Sequence, residues 1–405
     1  MNVNINKEQC EHLIRLNGHN PANVMQIGTA VDTTQYTKSD KRKNIETFIQ
    51  LEEMLSRYSK KLSCYAVKDV LNKDLVSQKD PRPILLGEST SRVDRFIKEN
   101  IILLQPTRII SRKRIETSFN LLLKMFQEEE MIMRFRKTSH MKMTLIITGP
   151  IAAGHFAYFT KLIERFGNLL KELDPELRNR VYLGLLFGEL DREIFKEKFR
   201  QAAGIAELYN ISSLVLLPSK TEGRGLPIIE ATACGTPIFC RRYEPEKVFS
   251  EVIGEHLGER DRLKVLEFKG KKITNTIVRK IADRIFFPHR YTDEIRHNQR
   301  VVLKRYSLDA LNNNLYQVLQ GLFQQLRGNE KILRTVKECL DDYREIVSFS
   351  NENLRALLDT RRRQYLPGYS RLSFMFMLKS LIDPSFFRVE QQRIRGMASV
   401  SYTHL

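Results

Sequence analysis

Short apolar runs and stretches of helical apolar spacing take turns along the chain, most regularly between Ile101 and Cys240. Residues 101–105, 144–148, 180–187 and 214–217 are apolar runs closed by Pro, Gly or Ser, as expected of parallel strands covered on both faces. Between them the spacing predicts a long helix starting near Ile115, an amphipathic helix over 154–173, a helix over 191–202 and a short one over 205–209. Strand and helix in alternation predict an α/β fold built on a doubly wound parallel sheet. Past the sheet, a helix over 246–252, a strand over 263–268 and helices over 273–287, 293–306 and 307–327 follow. Ser307 is the expected cap of the last, with Leu308, Leu311 and Leu315 turned inward. Upstream, residues 6–16 read as a helix. Residues 38–99 are mixed, with helical spacing at Ile45, Phe48, Ile49, Leu51 and Leu55, a shorter helical pattern over 65–75 and a loop over 79–83. They read as a linker or insertion without chemistry. Downstream, a helix-rich segment over 331–363 leads to an apolar run at 374–378, too short to anchor in lipid and so expected to dock on protein.

The stretch from Leu214 to Cys240 organises these elements, reading as strand, glycine loop, helix and second strand. Gly223 and Gly225 let the backbone turn sharply and approach a ligand without a Cβ in the way. Pro227 sits where a first helical turn tolerates a missing N–H. The loop therefore aims free helix N-terminal amides at one point, which favours an anion, phosphate above all. Glu222 in the loop and Glu230 in the helix flank that point. An ionised carboxylate only accepts, so the two suit the hydroxyls of a ribose and of a sugar. The plain alternative is a βαβ corner whose acids merely favour a helix start. Arg108 and Lys113 lie in the loop after the 101–105 strand, at the sheet edge where ligands sit in open α/β folds. The alternative for them is two solvated bases in a basic protein.

With 42% hydrophobic residues in 405, the chain can bury a sizeable core, which excludes a disordered protein. Its formal charge of +19 favours anionic partners without separating phosphates, nucleic acid and membrane surface. Basic clusters at 38–43, 112–114, 269–272 and 361–363 read, the second apart, as solvated faces. Cys10, Cys64, Cys234, Cys240 and Cys339 show no paired short spacing of a zinc or redox motif. An odd count in a large chain reads as reduced, and no basic-then-apolar leader or span-length run is present, so the expected compartment is the cytoplasm.

Pro218-Ser219, Glu222-Gly223-x-Gly225-Leu226-Pro227, Glu230-Ala231 and Cys234-Gly235-x-Pro237 resemble the nucleotide-sugar-binding segment of family 4 retaining glycosyltransferases, which have the two-domain GT-B fold. Arg224 departs from the aromatic residue more often found between the glycines, a departure that bears on sugar selectivity. In that family an Arg followed five positions on by a Lys holds the diphosphate. Arg108 and Lys113 match that spacing, with Arg114 replacing a frequent glycine, so a different turn is expected there. Residues 24–32 resemble the strand and hinge between the two domains. The resemblance implies sugar transfer from a nucleoside diphosphate sugar with retention of configuration. It places Glu222 at the donor sugar near the reacting centre, with Arg108 and Lys113 on the departing diphosphate as its catalytic partners. Glu230 would bind the ribose, Gly223, Arg224, Gly225 and Leu226 the sugar hydroxyls and phosphates, and Phe187 and Gly188 the base through backbone groups. His155 is a further candidate, against the commoner structural role of a lone histidine. No cofactor or metal is expected, since cationic side chains and a helix N-terminus stabilise the leaving group. The implied partners are a nucleotide sugar and an unnamed carbohydrate or small-molecule acceptor, not nucleic acid, with membrane association left open.

The expected organisation is the end of an N-terminal domain and hinge over 1–32, an insertion or linker over 33–99, a Rossmann-like nucleotide-sugar-binding domain with crossing helices over 100–326, a helical extension over 327–398 and a non-native tail over 399–405. Only one wall of a GT-B cleft would then be present, so these residues alone are expected to bind the donor without transferring it. Two other classes stand beside this reading. A noncatalytic nucleotide-sugar-binding module would need neither Glu222 nor Arg108 with Lys113. A nucleic-acid-binding protein would interleave basic and aromatic residues on one face, a pattern the sequence lacks.

Overall fold

The computed structural model describes residues 2–4, 10–11, 14–16, 21, 24–63, 82–88, 100–187, 204–270, 273–327 and 334. The expectations at 65–75, Gly188, 191–202, 374–378 and 399–405, and nearly all of 331–363, lie outside them. The chain divides into two units, Met1–Val318 and Leu319–Leu405. Within the first, β1 (Asn2–Asn4) and β2 (Val24–Gln26) pair in parallel as a small sheet of their own.

The main sheet contains β3 (Lys60–Ser63), β4 (Ile84–Gly87), β5 (Asn100–Gln105), β6 (Lys142–Ile147), β7 (Val181–Leu185), β8 (Leu214–Leu217), β9 (Ile238–Arg241) and β10 (Leu266–Phe268). Their order is β10-β9-β8-β5-β6-β7-β4-β3, parallel throughout except where β4 runs antiparallel to β7. Side chains alternate between two cores. Ile101 and Leu103 of β5 join Leu145, Leu183 and Leu216 on one face, while Ile102 and Leu104 join Ile146, Val215 and Leu217 on the other. Burial on both faces is why these strands read as unbroken apolar runs.

Helices α2 (Ile115–Met125), α3 (Glu129–Lys137), α4 (Phe156–Glu172), the short α5 (Pro175–Arg178) and α9 (Asn275–Phe286) cover the first face. Helices α1 (Lys41–Glu53), α6 (Ile205–Ile211), α7 (Leu226–Cys234), α8 (Glu246–Ile253) and α10 (Thr292–Tyr306) cover the second. The α/β class and the mostly parallel sheet are those the sequence predicts. Residues 33–99 do more than connect, since β3 and β4 extend the sheet by two strands beyond β7. Helix α11 (Leu308–Arg327) is capped as expected, Ser307 Oγ accepting from the Ala310 N–H at 3.1 Å. Leu308, expected inward, is 47% exposed. Val302 and Tyr306 of α10 already fill the core beneath, and no described residue of α11 enters either core. No helix among the described residues is long and apolar enough to cross a membrane.

From β5 the chain steps to β6 and β7 in one direction, and from β8 to β9 and β10 in the other. The order reverses between β5 and β8, which pair at Leu103↔Leu214 and Leu104↔Val215. Loops leaving the carboxyl ends of strands at such a reversal splay apart and leave a crevice.

Candidate functional site

That crevice is lined by the loops after β5 and β8. The main chain binds them together, with the Lys220 N–H donating to Arg112 O at 2.8 Å, and Arg112 Nη1 to Thr221 O at 3.0 Å. The loop after β9 closes a third side, as the Glu222 N–H donates to Glu244 O and the Glu244 N–H to Lys220 O. Across the crevice Lys113 Nζ meets Glu222 Oε1 at 2.5 Å, their side chains only 12% and 9% exposed. Burial holds the Lys113 ammonium below the usual lysine range, and the Glu222 carboxylate opposes that shift. The loop after β6 leans on the same structure, the Gly149 N–H donating to Thr107 O at 3.0 Å. A Cβ at Gly149 would come within 2.7 Å of Thr107 O and of the Arg108 backbone, so glycine permits this approach. Arg108 is exposed at the rim and forms no ion pair among the described residues. Arg114 adopts φ 52° and ψ 46°, a left-handed geometry that favours glycine.

Behind Glu222, Gly225 stands at the N-cap of α7 with φ 61°, and no side chain caps the helix. The first-turn amides are therefore free of side-chain partners and favour an anion. A Cβ on Gly225 would meet the Tyr243 hydroxyl at 2.3 Å. Gly223 and Arg224 are exposed and Leu226 is half-buried. Three buried hydroxyls around the crevice, Thr107 Oγ1, Ser219 Oγ and Tyr243 OH, find no partner among the described residues. They belong to the loops after β5, β8 and β9.

Glu230 lies one turn into α7, where Tyr209 OH donates to its Oε2 at 2.7 Å. Tyr36 donates to the same carboxylate, and the two rings meet edge to face at 6.0 Å. Burial pushes the Glu230 carboxyl up, and the two phenol hydroxyls pull it back. Sequence reasoning missed both tyrosines. Tyr36 reaches Glu230 because its segment is tied to α6, the Ser39 N–H donating to Asn210 Oδ1 at 2.8 Å and Asn210 Nδ2 to Thr37 O at 2.9 Å. No local pattern announces a pairing across so many residues. Phe187, at the end of β7, is buried with φ 51° and packs against Phe159. Gly188 lies outside the described residues. His155 precedes α4 without capping it. Among the described residues, no three His, Cys, Asp or Glu side chains gather as a metal-holding group.

Residues 189–256 match the family model for glycosyl transferases group 1. Mannosylglucosylglycerate synthase of Thermotoga maritima is 28% identical over 220 residues, 53% of this chain and 48% of that protein. The chain thus spans about half the length of this curated relative. Among solved structures, HepE of Anabaena in complex with UDP-glucose superposes with a TM-score of 0.48 at 14% identity, covering 79% of this chain and 63% of that one. The sucrose-phosphate synthase of Thermosynechococcus elongatus gives 0.43 at 14% identity, covering 80% and 58%. The family match runs through α6, β8, the glycine loop, α7, β9 and α8. The chain therefore carries, at the reversal point of its sheet, a segment of the glycosyl transferases group 1 type.

Proposed function

We propose that this crevice binds a nucleoside diphosphate sugar and that the protein is a retaining glycosyltransferase of the GT-B kind. The observation that carries the reading is the buried Lys113–Glu222 pair set beside the uncapped N-terminus of α7. It offers one cation and the positive end of a helix, with the Leu226 N–H foremost, to a diphosphate, and one carboxylate to sugar hydroxyls. Arg108 at the rim adds a forked donor for the phosphates. Glu230, steadied by Tyr209 and Tyr36, accepts from the ribose diol, and Gly223, Arg224, Gly225 and Leu226 border the sugar and phosphates. The backbone at Phe187 borders the base, and Gly188 is proposed beside it from the resemblance alone. In the transfer, a bond forms between an acceptor hydroxyl oxygen and the anomeric carbon on the face the leaving group vacates. The bond from that carbon to the diphosphate oxygen breaks, and the hydroxyl proton passes to the departing diphosphate. Lys113, Arg108 and the α7 amides meet the charge that grows on the diphosphate. Both the family match and the synthase relative support a sugar-transfer role.

Calorimetric titration with UDP, ADP and GDP, and with the nucleoside of whichever binds, tests the donor. Arg108→Ala is expected to weaken the diphosphate about tenfold, the loss of one charge-assisted contact, with little change for the nucleoside. Equal loss for both would remove Arg108 from the phosphate site.

The pH dependence tests Glu230. A ribose diol donates its hydroxyl protons, so it needs the ionised carboxylate. Because burial raises this carboxyl, nucleotide affinity is expected to fall on acidification at a pH above the ordinary glutamate range. The folding linkage has the opposite sense. A raised folded-state pKa contributes stability in acid that is lost as pH rises through it. Glu230→Gln should flatten this part of the affinity profile, and an unchanged profile would remove Glu230 from the ribose site.

A further inference from the structure

A second cavity, of about 420 Å³, opens beside the glycine loop and shares Gly223 and Arg224 with the crevice. Its floor is apolar, made by Ile229, Val248 and Val252, which are buried or nearly so. Its polar groups come from the glycine loop, α8 and the residues after it, α10, α11 and Thr29. This volume falls in the range of small-molecule sites and suits a monosaccharide-sized group.

The charge of the wall is one-sided. Arg224, Lys304 and Arg305 face a single carboxylate among the lining residues, Glu251, which already receives a hydrogen bond from Gln26 Nε2. Lys304 pairs with Asp261 at 2.7 Å, a residue outside the lining. Among the described residues the Arg305 guanidinium donates to main-chain carbonyls alone, those of Ile253, Asp261 and Glu251. Those bonds fix its orientation, and it forms no ion pair with a carboxylate among the described residues. Arg224 is exposed and makes no ion pair among the described residues. Fixed cations in a concave wall with a low-dielectric floor concentrate anions. The Asn313 and Asn314 amides and the Thr29 hydroxyl add neutral donors and acceptors for hydroxyl groups.

We propose that this cavity is the acceptor compartment and that it takes a small polyhydroxylated molecule bearing an anionic group, a carboxylate or a phosphate. The inference rests on the donor reading of the adjoining crevice. The anion would lie against Arg224 and Arg305, the apolar floor would carry the C–H face, and a hydroxyl would point past Gly223 toward the donor sugar.

The test uses residues 1–405 titrated calorimetrically with glucose 6-phosphate, glucuronate and glucose, each with and without saturating UDP. Both anionic sugars should bind about tenfold or more tightly than glucose, and the stronger of the two identifies the preferred anion. His256→Glu places a negative charge on an exposed lining residue and should weaken the anionic sugars fivefold or more, by the loss of local positive potential. Ala310→Trp should fill the cavity and abolish their binding, and unchanged UDP affinity in either variant establishes that it is folded. Anionic sugars that bind no better than glucose, or that bind both variants as they bind the parent, would overturn the proposal. Failure of UDP, ADP and GDP alike to bind the parent protein would instead overturn the donor reading, because the sugar titrations without nucleotide are read independently.

Discussion

Replacing Lys113 with methionine is expected to lower folding stability by about 3 kcal/mol, the scale seen when one partner of a buried ion pair is removed. It should also weaken a nucleoside diphosphate by about a hundredfold, as a desolvated cation facing a diphosphate is lost. Glu222 would keep its place at 9% exposure without the ammonium that meets it. Its carboxylate would then have to take up a proton or draw in water. The double variant Lys113→Met/Glu222→Gln separates the two losses. A neutral pair of similar volume should restore most of the stability, while the diphosphate still lacks its cation. Urea unfolding with parallel UDP titrations provides the comparison. Recovery of affinity together with stability would mean that Lys113 acts only as a structural strut.

A second large effect is expected from Gly225→Ala. The new methyl would lie 2.3 Å from the Tyr243 hydroxyl and 3.3 Å from Val252 Cγ1, on a backbone held at φ 61°. Left-handed geometry costs a residue with a side chain about 1–2 kcal/mol, and overpacking a rigid core adds about as much. Tyr243 is fully buried, so its hydroxyl has nowhere to move. A total near 3 kcal/mol is expected in urea unfolding. Tyr243→Phe alone should be nearly neutral, because the hydroxyl has no partner to lose among the described residues. Combined with Gly225→Ala it should return the overpacking part, since the next ring atom lies at 3.4 Å from the methyl. Strict additivity of the two changes would show that the collision is relieved elsewhere. A substantial loss from Tyr243→Phe alone would mean that the hydroxyl is bonded, by water or by ligand.

What was legible in the sequence follows the range of the interactions involved. The doubly buried strands β5 to β8 announce themselves as apolar runs, and the glycine loop is legible because Gly223, Gly225, Pro227 and two carboxylates stand within nine positions. The Arg108 and Lys113 loop was found from its place after a strand, and the structure brings Lys113 onto Glu222. Strands β3 and β4 were read as part of a linker. They are only four residues long, and their place is set by pairing with one another and with β7. Whether an apolar run pairs parallel or antiparallel is not encoded in its own periodicity. The Tyr36–Glu230–Tyr209 contact escaped for the same reason. Leu308 illustrates the reverse error, helical spacing with no core left for that face to cover.

The Lys113–Glu222 pair also makes the two halves of a ligand depend on each other. With the crevice empty, each charge satisfies the other. A bare diphosphate that draws the ammonium away strands the carboxylate, and a free sugar that engages the carboxylate must compete with the ammonium. One molecule carrying both groups compensates both sides at once. The chain should therefore hold one joined molecule more tightly than the separate affinities of its two pieces would suggest, a form of coincidence detection built from a single hydrogen bond.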